Sequence, residues 1–180
     1  NADWLRTDVD LLHADVRDLH GQTRAMNLSA RAHSKATSHD VPLLLDELVS
    51  ARGMSWADVA TTVGVSASAI RKWRHGGTST AENRLKLAEV ASFLDVLVEH
   101  GVLDPAQWME MELPLPPGYH IRPIDLYSRG CAEALLEFLE HRQGLEQILD
   151  QSNPSWREER SEFEVYTDSD GSRSMRKRSE

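Results

Sequence analysis

A chain of 180 residues that is 40% hydrophobic and 27% charged can bury one modest core or two small ones, so one or two domains are expected. Its 20 basic residues against 29 acidic give a net charge of −9, which taken over the whole chain argues against a nucleic-acid partner. The single cysteine, Cys131, excludes an internal disulfide and a thiolate zinc site made by one chain, and the apolar runs around Leu43 and Val90 are broken by Asp46, Ser92 and Asp95 well short of a bilayer span.

Residues Asn1 to Arg6 lack the basic-then-apolar pattern of a leader, and the missing initiator Met points to a trimmed or partial chain; a cytoplasmic protein without a membrane partner is expected. From Trp4 to about Ala32, Leu5, Val9, Leu12, Val16 and Leu19 recur at the spacing of one helical face, with Asp8, Asp10, Asp15 and Asp18 expected on the other side. Residues 1–32 are therefore read as an N-terminal helix that packs on a partner helix or forms an oligomer seam, ended or bent at Gly21. The polar, aperiodic run 33–39 reads as a linker.

Asp40 before Pro42 opens a helix with Leu44, Leu45, Leu48 and Val49 inward, stopped by Gly53. Ser55, with Asp58 three residues on, opens another in the manner of a capping box; Val59, Ala60 and Val63 face inward and Gly64 supplies the turn. Ser66 then caps a third helix with Ile70 and Trp73 inward and Gly76-Gly77 at its end. Such a segment has what a helix-turn-helix needs: small Ala60 for a close crossing, a glycine turn, Val65 as a core plug and two apolar anchors.

On that reading residues 40–79 form a DNA-binding domain, and the outward side chains on its second helix carry the function. Ser68 and Lys72 are placed to reach base edges and Ala67 to meet a thymine methyl, with Ser66 at the cap. Arg71, Arg74 and His75 are placed for phosphate oxygens. The charge objection is met locally, since residues 50–90 carry Arg52, Arg71, Lys72, Arg74, Arg84 and Lys86 against Asp58, Glu82 and Glu89, which is 6 − 3 = +3. Trp73 repeats the Ile70 face and reads as core, whereas Trp56 is open between core and a lid near phosphate.

Residues 80–152 read as a helical partner-binding domain. Thr80 to His100 has a broad apolar face that should pack on the preceding bundle, Asp104-Pro105 starts a short helix bearing Trp108, and Pro114, Pro116, Pro117 and Gly118 make a rigid loop. Arg122-Pro123 restarts the chain through Ile124, Leu126 and Tyr127 to Gly130, and Cys131 to Leu149 is helical again. Residues 153–180 are charged and Ser-rich, and read as a flexible tail. Glu162 to Tyr166 alternates and could order as a strand, and Arg176-Lys177-Arg178 could touch phosphate, although a solvated run is the commoner meaning. The expected fold class is all-α.

The stretch Val59 to Gly76 resembles the Xre-type helix-turn-helix of phage repressors and antitoxins, and Arg74 stands where that family often has Glu. Trp108, Tyr119 to Gly130 and Cys131 to Leu139 resemble the Xre/MbcA/ParS-type toxin-binding domain of antitoxins, which implies a partner surface made by Trp108, Tyr119, Pro123, Leu126 and Tyr127. Together the resemblances cover about Leu43 to Asp150. They imply a DNA-binding autorepressor that acts as a homodimer, binds double-stranded DNA and neutralises a toxin, commonly a NAD-consuming enzyme. A phage or host repressor without a toxin, and a helical adaptor that binds no DNA, are the competing readings.

Enzyme chemistry is not expected. His13 and His20 lie seven apart on one helical face and His33 and His39 flank the linker, but no further donors complete a metal site. Glu110 with Glu112 and Glu133 with Glu137 lack a phosphate loop, a nucleophile elbow or a cleft pattern, so no catalytic residue, metal or cofactor is assigned.

Overall fold

A computed structural model describes residues 3–140 and 144–178, and within the first helix it describes the side chains at 16 and from 19 onward. The chain is mostly helical, with one small antiparallel sheet where an all-α fold was expected. Two compact units divide at Leu103 and Asp104. Among the described residues no helix is long and apolar enough to cross a membrane.

The first unit begins with α1, Asp3–Ser38, a helix of 36 residues. It passes through Gly21 without ending there, since an interior glycine costs only about 1 kcal/mol relative to alanine and does not break the hydrogen-bond ladder. It also runs on through the segment read as a linker. Thr37 and Ser38 hydroxyls donate to the His33 and Ser34 carbonyls, 2.8 and 2.9 Å, which satisfies them within the helix. The deciding contribution is packing: Ala32 and Ala36 are buried, and α1 lies along α5, Ala81–Glu99.

Between these helices stand α2, Val41–Asp46, α3, Trp56–Val63, and α4, Ala67–Arg74. Asp40 caps α2 by accepting from the Leu43 N–H at 3.0 Å, as its place before Pro42 predicts. The helix widens at its end into a π turn over Glu47–Ala51, where the Arg52 N–H donates to the Glu47 carbonyl at 3.0 Å. Leu44, Leu45, Leu48, Val59, Val63, Ile70 and Trp73 close on the α5 residues Leu87, Phe93, Leu94 and Leu97 in one core. The helix at 81–99 packs on the preceding helices as expected, and it therefore belongs to the first unit rather than opening the second.

Four ionic side chains fasten α1 to this core. Lys35 pairs with Glu47 and, at 2.7 Å, with Asp95, and Asp95 also receives Arg52. Burial works to lower the Lys35 pKa, and hydrogen bonds from its ammonium to Asp95 and Glu47 more than offset this and raise it.

The second unit packs α6, Pro105–Glu110, α7, Pro123–Ser128, α8, Ala132–Leu139, and α9, Leu145–Ser152, in sequence, each on the next. Asp104 caps α6, and Arg122 forks onto the Asp125 carboxylate, 3.0 and 2.9 Å, at the start of α7. Cys131 is half-buried at the start of α8, its thiol pushed up by burial against the opposing charge of Arg129, which disfavours the reactive thiolate.

Residues 153–178 are ordered, contrary to the expected flexible tail. A 3₁₀ turn over Pro154–Glu159 inserts Trp156, which is fully buried and donates from Nε1 to Asp150 at 2.7 Å. β1, Phe163–Thr167, pairs antiparallel with β2, Arg173–Lys177, so the alternating segment finds its strand partner in its own chain. The basic run is not a free phosphate contact: Arg176 pairs with Glu164 at 2.8 Å, Lys177 with Glu162 at 3.5 Å and Arg178 with Glu164 at 3.8 Å.

Candidate nucleic-acid interface

Local chemistry sets the angle between α3 and α4. Ser55 caps α3, its hydroxyl accepting from the Asp58 N–H at 3.1 Å. At the other end Gly64 takes the left-handed conformation, φ 74°, and the Gly64 and Val65 N–H groups both donate to the Ala60 carbonyl at 3.0 Å. Only glycine adopts that φ without a Cβ penalty, so the turn depends on it. Ser66 then caps α4 by accepting from the Ala69 N–H at 3.2 Å. Ala60 is buried at the crossing and Val65 is half-buried.

Ile70 and Trp73 are driven inward, so the intervening positions of α4 must face out. Ser66, Ala67, Ser68, Arg71, Lys72, Arg74 and His75 are all exposed. The Ser66 and Ser68 hydroxyls lie 2.8 Å apart, which uses one bonding capacity of each and leaves an acceptor or donor for another group. Among the described residues, Arg71, Lys72, Arg74, His75 and Arg84 pair with no carboxylate. Arg52 and Lys86 do pair, with Asp95 and Glu82, so they leave the local tally and the unneutralised charge gathers on α4 and at Arg84. Three cations in the last turn of a helix also complement its dipole, but that effect is worth about 0.3–1 kcal/mol each and needs no particular face.

Two contacts refine the side-chain roles. The Arg74 guanidinium lies over the Trp56 ring, 4.8 Å from its centroid, so Trp56 is a half-buried platform and Arg74 is held rather than freely reaching. The second was not read from the sequence, which treated Gly76-Gly77 only as a stop. A Cβ on Gly77 would fall 2.4 Å from Lys72 Cγ and 2.8 Å from the Lys72 carbonyl oxygen, which itself accepts from the Gly77 N–H at 2.9 Å. The second glycine makes room for the Lys72 stem.

The residues expected to meet a protein partner divide. Pro123 and Leu126 are buried in the second unit and support its fold; neither can touch a partner without unfolding. Tyr119 is half-buried with its ring 4.8 Å from that of Trp156. Trp108 and Tyr127 keep partial exposure, and Met111, at the end of α6, is an exposed apolar side chain that the sequence reading passed over. Of the histidines weighed as metal ligands, His33 contacts the Ser29 carbonyl and His39 the Ser38 hydroxyl, both at 2.8 Å; the His20 side chain is exposed, and that of His13 lies outside the described residues. No protein-family model, curated protein or solved structure matches the chain.

Proposed function

We propose that the chain is a DNA-binding transcriptional regulator in which α3 and α4 act as a helix-turn-helix and α4 enters the major groove. The observation that carries this is the exposed face of α4, where Arg71, Lys72 and His75 stand without a carboxylate partner among the described residues beside two hydroxyls and a methyl at the helix start. Cations neutralise phosphates and release counterions, and Ser68 and Lys72 supply donors for base edges. The net charge of −9 opposes indiscriminate binding elsewhere on the chain. Selection of bound duplexes from a random-sequence library tests it: an enriched motif supports the reading, and a recovered pool indistinguishable from the input contradicts it.

The same proposal gives the second unit a protein partner, which on the antitoxin resemblance is a cognate toxin and makes the chain an autorepressor. Partial exposure of Trp108 and Tyr127 and the exposed Met111 supply aromatic and thioether surface of the kind interfaces favour. Co-expression with the product of the adjacent reading frame tests it. A stable complex lost in a Trp108→Ala, Met111→Asp variant supports the proposal, and a repressor that binds no such product corresponds to the competing reading without a toxin.

A further inference from the structure

We infer that α1 forms a parallel two-stranded coiled coil with a second copy of the chain through residues 5–26. The inference stands whether or not the protein binds DNA.

α1 meets α5 with Ala32, Lys35 and Ala36, and Arg31 reaches Glu99 at 2.6 Å, so these positions define its inward face. A different stripe follows a strict alternation of three and four residues. In heptad terms Leu5, Leu12, Leu19 and Met26 occupy d, and Val9, Val16 and Thr23 occupy a. On a helical wheel that seam lies roughly opposite the face that meets α5. Where side chains are described the seam is bare: Val16 is 50% exposed, Leu19 65% and Met26 73%. Apolar side chains in register along a continuous helix, exposed at the described positions Val16, Leu19 and Met26, call for a partner with the same period.

Three features choose the partner. Valine at a with leucine at d is the combination that favours two strands. The flanking positions then select a second copy in parallel orientation. Position g holds Asp8 and Asp15, and position e holds Arg6, His13 and His20. In a parallel pair each g residue faces the e residue five further along the partner, which sets Asp8 against the partner's His13 and Asp15 against the partner's His20. An imidazole N–H can donate to a carboxylate in either charge state. An antiparallel pair would set aspartate against aspartate and the e-position bases against each other. Thr23, the one polar residue on the seam, penalises shifted registers because only the aligned pairing sets it against its own copy.

Sedimentation equilibrium on the full chain reads the stoichiometry, and a dimer is expected. Leu12→Lys with Leu19→Lys should weaken it at least 100-fold with the helical circular dichroism of the first unit retained, because Leu19 is outside the core. Asp8→Lys with Asp15→Lys should weaken it about tenfold or more, and adding His13→Glu and His20→Glu should restore it. In a Cys131→Ser background, Leu5→Cys should give a disulfide-linked dimer on oxidation. A monomeric wild type, a dimer indifferent to the lysine substitutions, or cross-linking of Leu5→Cys only to Met26→Cys on the other copy would each overturn the inference.

Discussion

The methylene stem of Lys72 lies across the α-carbon of Gly77, so closely that a Cβ there would be 2.4 Å from Lys72 Cγ. The glycine is not in the left-handed region, and its role is space. Gly77→Ala should therefore push Lys72 off its position and, because the Cβ also meets the Lys72 carbonyl oxygen at 2.8 Å, strain the end of α4, weakening the proposed DNA binding about tenfold and lowering Tm modestly. Fluorescence anisotropy with a selected duplex, beside a thermal melt, checks this. A variant that binds as tightly as wild type would remove Lys72 from the interface.

Lys35 sits between Glu47 and Asp95 with 16% of its side chain exposed. Lys35→Met takes the lysine partner from Glu47 and leaves Asp95 with Arg52 alone, and should destabilise the first unit by about 1–3 kcal/mol in urea unfolding. The raised Lys35 pKa fixes the pH window. Its contribution is complete below the ordinary lysine value of 10.5 and is lost as pH climbs through the raised one, so wild type and variant should converge only at strongly alkaline pH.

Ser92 is fully buried in α5 and its hydroxyl has no hydrogen-bond partner among the described residues. Removing the oxygen removes an unsatisfied polar group. Ser92→Ala should raise stability by about 1 kcal/mol, visible as a higher urea midpoint at unchanged m. A loss of stability would show that the hydroxyl is in fact satisfied.

In the second unit, hydrogen bonds from Arg129 hold the Glu159 carboxylate below its ordinary value of 4.5, against the opposing effect of burial, with Asn153 assisting. A lowered pKa gives stability that is present above the unfolded value and lost as pH falls through the folded one. Glu159→Gln should therefore be less stable than wild type at pH 7, and the difference should shrink below about pH 4.5. Tryptophan emission reports the transition, because Trp156 is buried in the same unit.

What could be read from the sequence is what neighbouring residues decide. Ser55, Gly64 and Ser66 specify the ends of α3 and α4 by short-range hydrogen bonds, and Ile70 with Trp73 specifies which face of α4 is buried, so the candidate interface follows directly. Helix through residues 33–38 was missed because nothing local commits it; Asp95 and Glu47, far along the chain, hold Lys35 in place. The ordered 153–178 segment was missed for a related reason. Composition averages over the stretch, while a single Trp156, bonded to Asp150, supplies its anchor. Pro123 and Leu126 matched a motif whose order is visible in sequence, but only packing separates a motif's supports from its exposed contacts.

If α4 binds DNA as proposed, with Arg71 on phosphate and Lys72 at base edges, the affinity of the Arg71→Ala, Lys72→Ala variant for a selected duplex, measured by anisotropy across salt concentrations, reports it. Both side chains are exposed and pair with no carboxylate among the described residues, so circular dichroism should be unchanged. Affinity should fall about 100-fold or more, and the slope of log affinity against log salt should flatten by roughly one to two ion equivalents. An intact variant with wild-type affinity and salt slope would show that α4 does not bind DNA through these two side chains.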